Sequence, residues 1–228
     1  MLVVFDLLTD TETQSLATSI DELVVAGWAG RDQDAIEHHV AELAAIGVPR
    51  PSRVPLYYRI AENQLTQNGS IQVVGPDSSG EVEGFVFSAQ GQLYVSLASD
   101  HTDRQLETYG VAQSKQVCPK PLARMAWRYA DVAGHWDDLV MRAWIEEDGE
   151  RVLYQEGTLA TLRTPLDLIS GYTAGMDRLP DCTGMTCGTV GVIGGIRSAS
   201  TFEMELFDPR RKRSIRHRYV VQALPVIA

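Results

Sequence analysis

From Leu56 onward the chain consists mostly of short apolar runs broken by turn residues, the pattern of a β-rich protein. Runs at 56–60, 71–74, 81–87 and 93–98 are separated by Asn68-Gly69, Pro76-Asp77, Ser79-Gly80 and Gln90-Gly91-Gln92. A helical or irregular stretch is expected over 102–113, and a short helix within 121–136 around Trp127 and Trp136. The run 139–146 leads through Asp148-Gly149 into 151–154, a predicted hairpin. A helix is predicted over 165–175, opened by Thr164-Pro165 and closed by Gly175. Strands near 188–194, 201–206 and 217–222 complete the chain.

The first 50 residues read differently. Leu2 to Phe5 form a short apolar run, a polar stretch follows, and Asp21 to Trp28 form a second run. From Asp32 to Ile46 the apolar residues Ile36, Val40, Leu43 and Ile46 recur at helical spacing, with Gly47 as the stop. Pro49, Pro51 and Pro55 then impose an extended linker. This pattern divides the chain into an N-terminal part, residues 1–50, with strands and a helix that can act as a lid, and a β core, residues 51–228. Few helices among many short strands exclude a doubly wound sheet and indicate an α+β, β-rich class.

Composition narrows the function. Thirty acidic against twenty basic residues give a net charge of −10, which disfavours nucleic acid as a partner. The one basic run, Arg210-Arg211-Lys212-Arg213, falls between predicted strands and reads as a solvated turn. No segment has the roughly 18 apolar residues of a membrane span, and the first residues lack the basic start of a signal peptide. The three cysteines, Cys118, Cys182 and Cys187, are odd in number and lack zinc-site spacing, which fits a reducing, cytoplasmic setting. Cys118 has no partner by sequence and reads as a buried bystander rather than a nucleophile.

Candidate chemistry is concentrated at Glu81-Val82-Glu83 and Asp100. On a strand, residues two apart point the same way, so Glu81 and Glu83 stand side by side. Two neighbouring carboxylates repel, and a bound cation removes that cost. Asp100 ends the next apolar run and offers a third oxygen. Three hard oxygens suit Mg²⁺, Mn²⁺ or Ca²⁺ better than zinc. The competing reading is a solvated strand face and a turn aspartate. His39 and Glu42 lie three apart on the predicted helix and share a face, either as a base dyad or as an ordinary surface pair. His38 points about 100° away and competes with His39 for the role.

Several ordered pieces extend this picture. They are Gly27-Trp28-Ala29-Gly30, His39 with Glu42, the prolines ahead of Tyr57-Tyr58, Glu81-Val82-Glu83, and Ser99-Asp100-His101-Thr102-Asp103-Arg104. Ser114-Lys115, Tyr154-Gln155-Glu156-Gly157-Thr158 and Cys187-Gly188-Thr189-Val190 follow. Over residues 27–206 this order resembles the fumarylacetoacetate-hydrolase-like superfamily, and more narrowly a bacterial branch of unknown function, DUF2848. The resemblance implies a fumarylacetoacetate hydrolase-like β-roll core with an N-terminal helical segment, a divalent cation (Mg²⁺, or Mn²⁺ or Ca²⁺), and a homodimer.

The resemblance also implies roles. Glu81, Glu83 and Asp100 match metal ligands; His39 and Glu42 match a water-activating dyad; Lys115 matches a catalytic cation. Arg104, Gly188, Thr189 and Tyr58 match positions that contact a small-molecule carboxylate substrate. His101 and Asp103 depart from the family pattern and are expected either to read a substrate group or to create another proton-transfer route. The implied activity is a metal-dependent hydrolase that cleaves a C–C bond in a small 2-oxo or 1,3-dicarbonyl acid, acylpyruvate-like, through a metal-stabilised enolate. Two alternatives compete with it. One is a lyase, decarboxylase, dehydratase or isomerase of a 2-oxo acid on the same metal site. The other is a non-catalytic carboxylate-binding scaffold.

Overall fold

The computed structural model describes residues 1–9, 12–45 and 50–227; within the first helix the side chains at 35, 39, 42, 43 and 45 lie outside the description. Two large sheets carry the architecture. The eight-stranded sheet runs, in spatial order, Thr13–Ser19, Leu2–Leu8, Met125–Arg128, Gln92–Ser99, Val82–Ala89, Thr183–Thr189, Glu22–Gly27 and Leu56–Ile60. The five-stranded sheet runs Glu150–Thr158, Val140–Glu147, Thr201–Asp208, Arg213–Leu224 and Ser70–Val74. Among the described residues no helix is long and apolar enough to cross a membrane.

The central strand Val82–Ala89 is buried at every position. Its side chains alternate between two cores, as the period of a strand requires. Val82 and Val86 face Met141, Ala143, Met204 and Leu206 of the second sheet. Phe85 and Phe87 face Phe5, Leu23, Val25 and Leu122 on the other side, where the first sheet curls over itself. Phe5 and Phe87 stack at 4.1 Å between ring centroids. A strand covered on both faces reads as a continuous apolar run, which is why it was legible.

One local turn positions the site. Gln90 and Gly91 both take positive φ, 54° and 71°, as mirror-image two-residue hairpin turns require. The turn pairs Ala89 with Gln92 and, seven residues further along, Val82 with Ser99. The next step of the ladder brings Glu81 opposite Asp100, whose backbone N–H donates to the Glu81 carbonyl at 3.0 Å. Asp148 and Gly149, at φ 52° and 82°, make the same kind of turn in the predicted hairpin of the second sheet.

Four expectations are corrected. The N-terminal strands are part of the large sheet rather than separate from the 51–228 core: Leu2–Leu8 pairs with Met125–Arg128, and Glu22–Gly27 with Thr183–Thr189, both in parallel. The polar stretch between them is the edge strand Thr13–Ser19, which buries only Leu16 and so carries no apolar pattern. Trp127 lies in a strand rather than a helix, because the sheet takes Met125–Arg128 between two neighbours; short 3₁₀ turns follow it. The strand expected at 188–194 is Thr183–Thr189; its register shifts between Thr186 and Thr189, where Gly188 takes φ 88°, and Thr189 still pairs with Glu83. The basic run is a turn, as expected: Asp208 Oδ1 accepts from the backbone N–H groups of Arg210 and Arg211, each at 3.1 Å.

Candidate metal centre

The hairpin register gathers the three acids. Carboxylate oxygens of Glu81, Glu83 and Asp100 all lie within 4.8 Å of one another. Glu83 and Asp100 are buried, at 3% and 0% exposure. Each acid is held by its own partner. Arg104 Nη2 sits 3.1 Å from Glu81 Oε1. The Gly188 amide donates to Glu83 Oε2 at 2.8 Å. Lys115 Nζ donates to Asp100 Oδ2 at 2.5 Å.

Burial and the neighbouring Asp100 push the Glu83 carboxyl up to about 8. Burial would also raise Asp100, but Lys115 and Lys120 outweigh it and hold Asp100 well below the usual carboxylate range. The two acids are driven apart because neither can ionise freely beside the other. A divalent cation would relieve both, and one atom is available to receive it. Asp100 Oδ1 is buried without a hydrogen bond. Lys120 Nζ lies 3.3 Å from it, close enough for attraction but outside hydrogen-bond alignment. Three carboxylates with an open buried oxygen fit a hard, oxygen-seeking dication.

The structure gives other residues of the sequence reading different jobs. Arg104 donates from Nε to Ser79 Oγ at 2.7 Å and from Nη1 to Glu107 at 3.0 Å, while its buried Nη2 faces Glu81 at 3.1 Å without a hydrogen bond. Its charge is shared between Glu81 and Glu107, and it stands against Glu81 rather than in open space. His101 was expected at the substrate. Its ring is 1% exposed and bridges Tyr219 OH, 3.0 Å from Nδ1, and Ser78 Oγ, 2.9 Å from Nε2. Burial and the nearby cations push it down to about 3, so it is neutral at physiological pH. Asp103 accepts from the Leu106 amide at 2.8 Å and caps the helical turn Arg104–Glu107. The Gly188 amide is taken by Glu83, and a Cβ there would meet Ala29 Cβ at 2.7 Å. Thr189 Oγ1 donates to the Val82 carbonyl at 2.8 Å.

Lys115 and Tyr58 do lie together at the triad. The Lys115 ammonium stands 5.8 Å from the Tyr58 ring centroid while it binds Asp100. Burial works against its charge, but Asp100 and Glu81 outweigh this and hold it above its ordinary value. It is a proton donor at neutral pH, not a base. His39 and Glu42 belong to the helix Gln33–Ala45, and their side chains lie outside the described residues.

Two residues escaped the sequence reading. Lys120 is wholly buried, and its ammonium donates to the carbonyls of His101 at 2.5 Å, Cys118 at 3.1 Å and Lys115. A lysine between two prolines, Pro119 and Pro121, was the available signal. Gln155, seen only as part of a motif, accepts from the Val82 amide at 3.1 Å and donates to Thr189 Oγ1 at 2.8 Å and the Val190 carbonyl at 2.7 Å. It ties the Glu81–Glu83 segment to the strand end that carries Gly188.

A curled β-rich sheet with three acids at one hairpin end defines a fumarylacetoacetate-hydrolase-like fold. Solved structures agree. A magnesium complex of 2-keto-3-deoxy-D-arabinonate dehydratase with 2,5-dioxopentanoate superposes at a TM-score of 0.65 and 15% identity, over 96% of this chain and 79% of that one. A proposed fumarylpyruvate hydrolase from Burkholderia cenocepacia gives 0.61 and 15%, over 98% and 92%. The yeast fumarylacetoacetate hydrolase family protein ynq8 gives 0.61 and 14%, over 90% and 94%. Residues 26–219 match one family model, and the chain belongs to that family, described as "Protein of unknown function (DUF2848)". No curated protein matches at a significant level.

Proposed function

We propose that this protein is a divalent-metal-dependent hydrolase that cleaves a C–C bond in a small acylpyruvate-like acid. The observation that carries the reading is the cluster of Glu81 with the buried Glu83 and Asp100, whose buried Asp100 Oδ1 has no hydrogen bond. Glu81, Glu83 and Asp100 would hold a Mg²⁺ or Mn²⁺ ion, which would supply Lewis acidity for a 2-oxo acid. The chain supplies preorganisation: Arg104, Gly188 and the Lys115–Lys120 pair each fix one ligand, so little reorganisation remains. Lys115 holds its proton beside the triad and is placed to donate to negative charge that develops there. His39 and Glu42, three apart on their helix, are proposed as the water-activating pair on spacing alone. A homodimer and a small carboxylate ligand belong to the same proposal.

A second reading, dehydration of a 2-oxo acid, is favoured by one neighbour, the dehydratase complexed with magnesium and 2,5-dioxopentanoate. The two separate in ¹⁸O-labelled water. With 2,4-dioxopentanoate and Mg²⁺, hydrolysis puts label in the acetate carboxylate, and Glu81→Ala abolishes it. Turnover of a 3-deoxy-2-oxo sugar acid, with 2,4-dioxopentanoate untouched, overturns hydrolysis in favour of dehydration. No turnover of either acid by the Mg²⁺-loaded protein removes both.

A further inference from the structure

The cations around the triad are already spent. Arg104 is bound to Glu81, Glu107 and Ser79, and Lys115 to Asp100. Lys120 is bound to three carbonyls and drawn to Asp100. Arg59, beside Tyr58, pairs with Glu22 at 3.2 Å. Arg53 and Arg163 both lie near Tyr57, Arg53 with its guanidinium 5.9 Å from the ring centroid. Tyr57 packs on the core between the sheets and Tyr58 on the opposite core, as neighbours on a strand must. Those two arginines therefore belong to the wrong face. A second substrate carboxylate beside the triad would meet cations whose charge is already shared with Glu81, Glu107 and Asp100, and burying it without a counter-charge is costly.

What adjoins the triad instead is aromatic. Trp28 has φ 60°, a left-handed conformation that a bulky residue rarely adopts and that persists only where the surroundings enforce it. Its Nε1 donates to Tyr58 OH at 3.4 Å, and the Tyr58 ring lies against Lys115, which grips Asp100. Tyr58 also packs on Gly27, where a Cβ would come within 2.8 Å of Tyr58 Cε2. The following residue, Ala29, abuts Gly188, whose amide holds Glu83. Both ends of this strained turn are thus wired to the triad, and its half-buried Trp28 ring stands with the half-buried Tyr58 ring of the strand Leu56–Ile60.

From these two observations we infer that the substrate is a monocarboxylate 2-oxo acid with an uncharged, flat remote group, and that Trp28 with Tyr58 is the wall selecting it. The inference rests on the metal-dependent 2-oxo acid reading above and adds the substrate class. One carboxylate and the keto oxygen serve the metal end. The remote group stacks on indole and phenol, where an aromatic face gains most. A second carboxylate there would lose its hydration with nothing in return.

The test is calorimetric titration of the Mg²⁺-loaded protein with phenylpyruvate, pyruvate and 2-oxoglutarate. Phenylpyruvate is expected to bind about tenfold or more tighter than either of the others. Trp28→Ala is expected to remove that advantage, weakening phenylpyruvate about tenfold and pyruvate less than about twofold. Trp28→Phe, which keeps a ring, is expected to retain most of it. Binding of 2-oxoglutarate as tight as phenylpyruvate overturns the inference and leaves the metal reading standing. So does a Trp28→Ala protein that loses all three ligands equally while still binding Mg²⁺. Failure of every 2-oxo acid to bind the Mg²⁺-loaded wild type overturns the metal reading itself, and the substrate class falls with it.

Discussion

Replacing Lys120 by methionine is expected to cost about 3–5 kcal/mol of folding stability, the scale for removing one partner of a buried ionic cluster. The ammonium is wholly buried and satisfies three backbone carbonyls from two segments, His101 on one side and Lys115 and Cys118 on the other. Methionine fills similar volume and donates nothing, so those carbonyls lose a donor and Asp100 Oδ1 loses the charge 3.3 Å away. Burial lowers the Lys120 pKa, and only the Asp100 carboxylate opposes this strongly. The cluster is therefore mutually dependent: Asp100 is held ionised by lysines that it holds charged. Urea unfolding of wild type and Lys120→Met measures the loss. A change below about 1 kcal/mol would show that the carbonyls find other partners. Lys120→Arg is not a rescue, because a planar fork cannot replace a compact tetrahedral donor in this space.

Glu83→Gln is expected to abolish tight divalent-metal binding and to erase its pH dependence. In the metal-free wild type the Glu83 carboxyl is pushed up to about 8, so a cation must displace its proton at neutral pH. Mn²⁺ affinity is therefore expected to rise by up to about tenfold per pH unit between pH 6.5 and 8, then flatten. Stability moves the other way without metal. A carboxyl held above its unfolded value of 4.5 stabilises the folded state at low pH, and that contribution is lost as pH rises through about 8. His101, held down to about 3, has the opposite effect, but its contribution is complete above its unfolded value of 6.5. Between pH 7 and 8 the metal-free protein should thus lose stability, and Mn²⁺ should restore it. Glutamine neither titrates nor carries charge, so both slopes should vanish. Titration calorimetry with Mn²⁺ at three pH values reads the first slope, and thermal melts read the second. A pH-independent wild-type affinity across this range would sink the assignment of a protonated Glu83.

What the sequence made legible tracks how local each cause is. The Gln90-Gly91 turn and the flanking apolar runs lie within twenty residues, and they alone determine that Glu81 meets Asp100. Helix signals at Thr164-Pro165 worked for the same reason: the capping box of Thr164 and Asp167 is built from neighbours. His101 misled because it adjoins a metal ligand in sequence. Consecutive residues of an extended segment point to opposite faces, so Asp100 faces the triad and His101 faces Tyr219, 118 residues away. Arg104 and Gly188, expected at a substrate carboxylate, stand beside the acidic triad against Glu81 and Glu83. Sequence shows that a cation and an amide are near, whereas only packing shows that Glu81 and Glu83 have already claimed them. Lys120 and Gln155 were invisible because their partners are carbonyls and amides of the backbone, which every residue has. The edge strand Thr13–Ser19 escaped because a strand with a single buried side chain leaves no periodicity to read.

The central claim is that Glu81, Glu83 and Asp100 bind one dication together. Crystals grown with Mn²⁺ and measured at the manganese absorption edge test it most directly. The account requires one strong anomalous peak with an oxygen from each of the three carboxylates about 2.0–2.4 Å away, and Lys115 still on the far oxygen of Asp100. A peak elsewhere, or fully Mn²⁺-equilibrated crystals with no peak among these carboxylates, would contradict it.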